Sequence, residues 1–220
     1  MERLKQFQYR ETAVGALSLR LKDIITDECQ RNGTISVLLS GGTTPLPVYE
    51  ELFQSNLDLS QVRFGLVDER FVEIENDASN EGVIRSLCRH RTDIHLMGMV
   101  VNHANYQESV KQCNRMYQPL INGSLVLLGM GVDGHFASLF PNDLPSTRGL
   151  SAEKPEVIAT NAPAHPTERI STNLPFLLTY KHRILYITGT DKLAKFLNSK
   201  DDNSPIARIF DQLTEIYFAP

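Results

Sequence analysis

The chain has 220 residues, 41% hydrophobic and 22% charged, the usage of an ordinary globular protein long enough to bury a core without disulfide or metal staples. Its 22 Lys and Arg stand against 26 Asp and Glu. The net charge of −4 argues against broad binding of nucleic acid and leaves room for a local basic pocket for a small anion.

No apolar run approaches the ~20 residues needed to cross a bilayer, so no membrane association is expected. Residues 1–10 are polar and lack a signal-peptide core. Cys29, Cys88 and Cys113 are an odd set with no C-x-x-C spacing, which points to a reducing cytoplasm rather than a disulfide framework. No linker or repeat divides the chain, and a single domain over residues 1–220 is expected.

Residues 11–31 read as a helix, because Val14, Leu17, Leu21, Ile24 and Ile25 recur at spacings of three and four, and Asn32-Gly33 ends it. Residues 34–39 are a β-branched and apolar run, the mark of a strand buried on both faces. That run leads into Ser40-Gly41-Gly42-Thr43-Thr44-Pro45 and a helix over 45–53. The same grammar returns in a strand over 62–67 that ends in Asp68-Glu69-Arg70, then in helices over 78–90 and 106–120. A strand over 125–128 runs into Gly129-Met130-Gly131, and a short one spans 157–159. Residues 183–187 form the last clear strand, followed by helices over 191–198 and 206–213. Alternating strands and helices predict an α/β fold: a Rossmann-like, mostly parallel sheet with helices on both faces. In such sheets ligands sit beyond the carboxyl ends of the strands.

Three strand ends carry candidate chemistry. The adjacent Gly41 and Gly42 allow a tight turn with bare N–H groups, and Ser40, Thr43 and Thr44 add hydroxyls. This is either a phosphate cradle at a helix start or a plain strand-to-helix turn; it matches neither the P-loop nor G-x-G-x-x-G. Asp68, Glu69 and Arg70 follow an apolar strand and are hard to bury, so they are expected to face a cleft or solvent. The third end is Gly131-Val132-Asp133-Gly134-His135. There His135 suits general-base work and Asp133 can orient its ring. Asp-x-His is also a possible metal pair, but no third ligand is spaced with it and no metal is expected. Arg169 and Lys192 are cations able to face a phosphate held by the glycine loop. G-x-S-x-G is absent, so no hydrolase serine is indicated.

Taken in order, SGGTTP, DERFV with Ser79-Asn80 after it, GMGVDGHFASLFP, ERIS and GTDK resemble the 6-phosphogluconolactonase family from about residue 10 to 213. The resemblance implies the sugar-phosphate isomerase-like fold shared with glucosamine-6-phosphate deaminases. It implies hydrolysis of 6-phospho-D-glucono-1,5-lactone to 6-phosphogluconate in the oxidative pentose phosphate pathway, without cofactor. It assigns His135 as general base, Asp133 as a residue that shapes or polarises the site and Arg70 as the group facing the lactone. Gly41, Gly42 and Thr43 would hold the phosphate with Arg169 and Lys192 opposite, and Asp68 would contact substrate. The only partner implied is the phosphorylated sugar lactone, acted on by a monomer or weak homo-oligomer. Aligned through His135, the deaminases' ring-opening glutamate falls at Phe140, which cannot carry a proton. A sugar-phosphate sensor of the same fold would carry a helix-turn-helix segment ahead of it, and the short stretch before the first predicted helix disfavours that class.

Overall fold

A computed structural model describes residues 3–220; the first two residues of the expected domain lie outside the described ones. Strand β1 (Leu4–Gln6) precedes the long helix α1 (Arg10–Asn32), whose apolar stripe Val14, Leu17, Leu21, Ile24 and Ile25 is buried. Then come β2 (Ile35–Leu39), α2 (Leu46–Phe53) and β3 (Val62–Leu66). A short strand β4 (Asp68–Arg70) leads to α3 (Asn80–Cys88), β5 (His95–Met97), α4 (Tyr106–Met116) and β6 (Leu125–Leu128). The second half holds α5 (Leu144–Ser151), β7 (Val157–Asn161), β8 (Glu168–Thr172), α6 (Leu174–Leu178), β9 (His182–Thr188), α7 (Thr190–Leu197) and β10 (Glu215–Ala219).

Seven strands form a parallel sheet in the order β1-β10-β9-β6-β2-β3-β5. The connections through α1, α2 and α3 step one way along the sheet, and those through α4 and α7 step the other way. Parallel crossovers are right-handed, so the two groups of helices cover opposite faces. Every residue of β2 and β6 is buried, as two-sided packing requires. The stepping of the connections reverses between the parallel neighbours β2 and β6, which makes the crevice beyond their carboxyl ends the topological switch point.

The departures from expectation have physical reasons. The reading ends the sheet at residues 183–187, but β10 continues it and pairs with both β9 and β1. The helix expected over 206–213 is two short 3₁₀ turns, Pro205–Arg208 and Phe210–Gln212. The helix expected over 106–120 stops at Met116, and a 3₁₀ turn with Pro119 follows, since that ring cannot continue an α-helix. A second sheet, β4-β8-β7, is antiparallel and was not expected. It places Arg70 directly opposite Arg169.

Candidate active site

The loop after β2 is shaped by two glycines with different duties. Gly42 takes φ +85, which side-chain-bearing residues rarely adopt. Gly41 leaves room for Asn80: a Cβ there would lie 2.0 Å from Asn80 Oδ1. Asn80 Nδ2 donates to the Asp68 carbonyl at 2.9 Å, which ties the start of α3 to β4 beside the loop. The Tyr49 hydroxyl donates to the Ser40 carbonyl at 2.9 Å and fixes α2 beneath the same loop.

The turn after β6 presents His135. Gly131 N–H donates to the His135 carbonyl at 2.9 Å, and Gly134 turns at φ +82. Asp133 Oδ1 accepts from the His135 amide at 3.2 Å and lies 2.6 Å from His135 Nδ1. With Nδ1 donating to a carboxylate, the lone pair that remains is on Nε2. Burial acts to raise the Asp133 carboxyl, but the hydrogen bond and charge of His135 prevail and hold it below its ordinary value. A Cβ on Gly131 would stand 2.2 Å from the imidazole, so the ring sits over that glycine. The Phe140 ring packs against the imidazole at a tilt, with centroids 4.5 Å apart.

Strands β4 and β8 bring in the charges. Asp68 is buried and its Oδ2 accepts from Ser138 Oγ at 2.6 Å. Arg70 Nη1 donates to the Ala78 carbonyl at 2.6 Å. Arg169 Nε donates to the Pro166 carbonyl at 2.9 Å. Burial first, then repulsion from Arg70, lowers the Arg169 guanidinium from its ordinary value. Burial lowers the Lys192 ammonium as well. The expectation that Asp68, Glu69 and Arg70 all face a cleft or solvent fails for Glu69, which is 1% exposed. Its carboxylate accepts from the amides of Arg70, Asn80 and Glu81 and from Ser79 Oγ, so burial is compensated by hydrogen bonds.

These elements enclose a cavity of about 300 Å³ at the switch point. Gly41, Gly42, Thr43, Asp68, Arg70, His135, Arg169 and Lys192 all line it. Asp133 does not; it stands behind His135. Sequence reasoning missed Asn80 and Tyr186 on the wall. The Ser79-Asn80 pair reads as a helix opening and as one block of the family resemblance, but nothing local aims the Asn80 side chain at the glycine loop. Tyr186 lies within an apolar strand and carries no separate signal. Among the described residues, no three His, Cys, Asp or Glu side chains converge as a metal-ligand set.

A family model described as glucosamine-6-phosphate isomerases/6-phosphogluconolactonase matches residues 8–218. The chain belongs to this family. A protein of Caulobacter vibrioides named 6-phosphogluconolactonase is 30% identical over 215 residues, covering 96% of this chain and 93% of its own. One of Xylella fastidiosa with the same name is 33% identical over 183 residues, covering 81% and 77%. The crystal structure of a 6-phosphogluconolactonase from Shewanella baltica superposes with a TM-score of 0.91 at 25% identity, covering 99% of this chain and 97% of that one. A monomeric glucosamine-6-phosphate deaminase superposes with a TM-score of 0.79 at 14% identity, which shows the shared fold alone. Among the described residues, no helix is long and apolar enough to cross a membrane.

Proposed function

We propose that this member of the family hydrolyses 6-phospho-D-glucono-1,5-lactone to 6-phospho-D-gluconate. One observation carries the reading: a carboxylate-oriented imidazole and two half-buried cations, neither in a salt bridge among the described residues, share one cavity. Arg169 and Lys192, with Gly41, Gly42 and Thr43, anchor the phosphate through charge-assisted hydrogen bonds. Asp68 accepts from a sugar hydroxyl. The anchored end holds C1 near His135, so binding energy from the phosphate serves the reacting centre.

His135 Nε2 takes a proton from water as the water oxygen bonds to C1. The carbonyl electrons move to oxygen, giving a tetrahedral oxyanion that Arg70 stabilises. Collapse breaks the bond between C1 and the ring oxygen, and the imidazolium returns its proton to that oxygen. The product is an open-chain acid, which ionises. Asp133 stabilises the transient imidazolium and keeps the ring in its productive tautomer. The reaction belongs to the oxidative pentose phosphate pathway, and three free thiols fit the reducing cytoplasm as its place.

The test is hydrolysis of freshly generated lactone by purified protein against the spontaneous rate. Turnover well above that rate, and far slower on unphosphorylated glucono-1,5-lactone, is expected. A rate equal to background overturns the assignment and directs attention to ammonia release from glucosamine 6-phosphate.

A further inference from the structure

Phe140 is 5% exposed, yet its ring is part of the cavity wall. Its backbone is pinned, since the Phe140 amide donates to Ser146 Oγ at 3.0 Å and Ser146 Oγ lies 2.6 Å from Asp143 Oδ2. The ring makes two contacts that join the halves of the site. Its centroid is 4.5 Å from that of His135, with the planes inclined at 43°. It also lies 5.8 Å from the centre of the Arg169 guanidinium, within cation–π reach. His135 is therefore held at Nδ1 by Asp133 and packed at a tilt against the Phe140 ring. Arg169 is held at Nε by the Pro166 carbonyl and against its face by the same phenyl ring.

We propose that Phe140 is the positioning residue that sets His135 and Arg169 relative to each other, and so couples phosphate recognition to water attack. The inference rests on the proposed lactonase reading and deepens it. Selectivity for a phosphorylated lactone requires the anchor and the base to be a fixed span apart. A ring touching both fixes that span, whereas an aliphatic chain of similar bulk offers neither a planar face to the imidazole nor a quadrupole to the guanidinium.

The experiment compares wild type with Phe140→Leu and Phe140→Tyr. Losing the cation–π contact should weaken inorganic phosphate binding by about fivefold. Loosening the base should lower kcat on the phosphorylated lactone by about tenfold or more. Unphosphorylated lactone should lose only the kcat part, so discrimination between the two substrates shrinks. Phe140→Tyr keeps the ring and should restore all three values. A residue that merely fills the core would lower thermal stability and leave kcat, phosphate affinity and discrimination unchanged in the folded fraction. That result overturns the proposal, as does a tyrosine variant as impaired as the leucine one.

Should Phe140→Leu not fold, the wild-type proton spectrum decides. A phenyl ring centred 4.5 Å from the His135 ring shifts its imidazole protons away from those of exposed His103 and His165, and unshifted protons overturn the contact. Phosphate titration and the imidazole shifts need no turnover. A wild type inert on the lactone therefore refutes the proposed function without being mistaken for a failure of the Phe140 assignment.

Discussion

The two ends of the parallel sheet use similar residues in opposite ways. At the amino end, Glu28 of α1 lies under Lys181 and His182 with its side chain 3% exposed. Lys181 Nζ approaches Glu28 Oε1 at 2.5 Å, and Asn32 Nδ2 donates to Oε2 at 3.0 Å. Every charge in that cluster has a partner. At the carboxyl end, Arg169 and Lys192 are half-buried, and no ion pair involving either is formed among the described residues. Desolvating a cation without a partner is unfavourable. Asp68 and Glu69 act on Arg169 but are outweighed by burial and Arg70, so under the proposed function the substrate phosphate supplies the missing counter-charge. The saturated cluster belongs to the fold and the unsaturated one to the site.

His135→Ala attacks that division most directly. Kinetics on the phosphorylated lactone should show kcat falling by about 10²- to 10⁴-fold with little change in KM. A defect confined to KM would remove His135 from the chemistry. Gly131→Ala keeps every functional group and displaces the ring, since the new Cβ would sit 2.2 Å from it and 2.7 Å from Asp133 Oδ1. Its kcat should fall by about 100-fold. Activity near wild type would mean that the turn after β6 yields without consequence for the base. Lys192→Ala should raise KM for the phosphorylated lactone by about 10- to 100-fold, the worth of one hydrogen bond to a charged group. An equal change on unphosphorylated lactone would show that the lysine is not reading phosphate.

The same contrast governs what was legible in the sequence. Strands buried on both faces announce themselves, and β2, β3, β6 and β9 all do so as apolar runs. β1, with Leu-Lys-Gln, and β5, with His-Leu-Met, are three-residue edge strands too short to show a period. β4 is Asp-Glu-Arg, charged throughout, and becomes a strand only because β8 pairs with it. That pairing sets Arg70 against Arg169 across 99 positions of sequence, a relation no local pattern encodes. The residues after each apolar strand were legible as site candidates, because motif and topology agree there. Asn80 and Tyr186 were not, since each reaches the cavity through tertiary packing. β10, with Glu-Ile-Tyr-Phe-Ala, carries an apolar strand signal of its own and was passed over next to an overextended helix.

Glu28→Gln tests the other side of the comparison and carries the smallest expected effect. Lys181, assisted by His182, overcomes burial and holds the Glu28 carboxyl below its ordinary value of 4.5. Its charge therefore adds stability that is present above that value and lost as pH falls through the folded-state value. Burial holds the His182 imidazole below 6.5 despite Glu28. The unfolded chain then takes up that proton first on acidification, which also favours unfolding. Both groups make the protein less stable toward acid. In urea titrations at neutral pH, the glutamine variant should lose about 1–3 kcal/mol. The deficit should narrow as pH drops below the ordinary carboxylate range, because wild type then loses the same charge. Hydrolysis per folded molecule should stay at the wild-type level. A constant deficit at every pH would mean that Glu28 contributes shape rather than charge, and a fall in kcat would mean that the amino end of the sheet is not separate from the site.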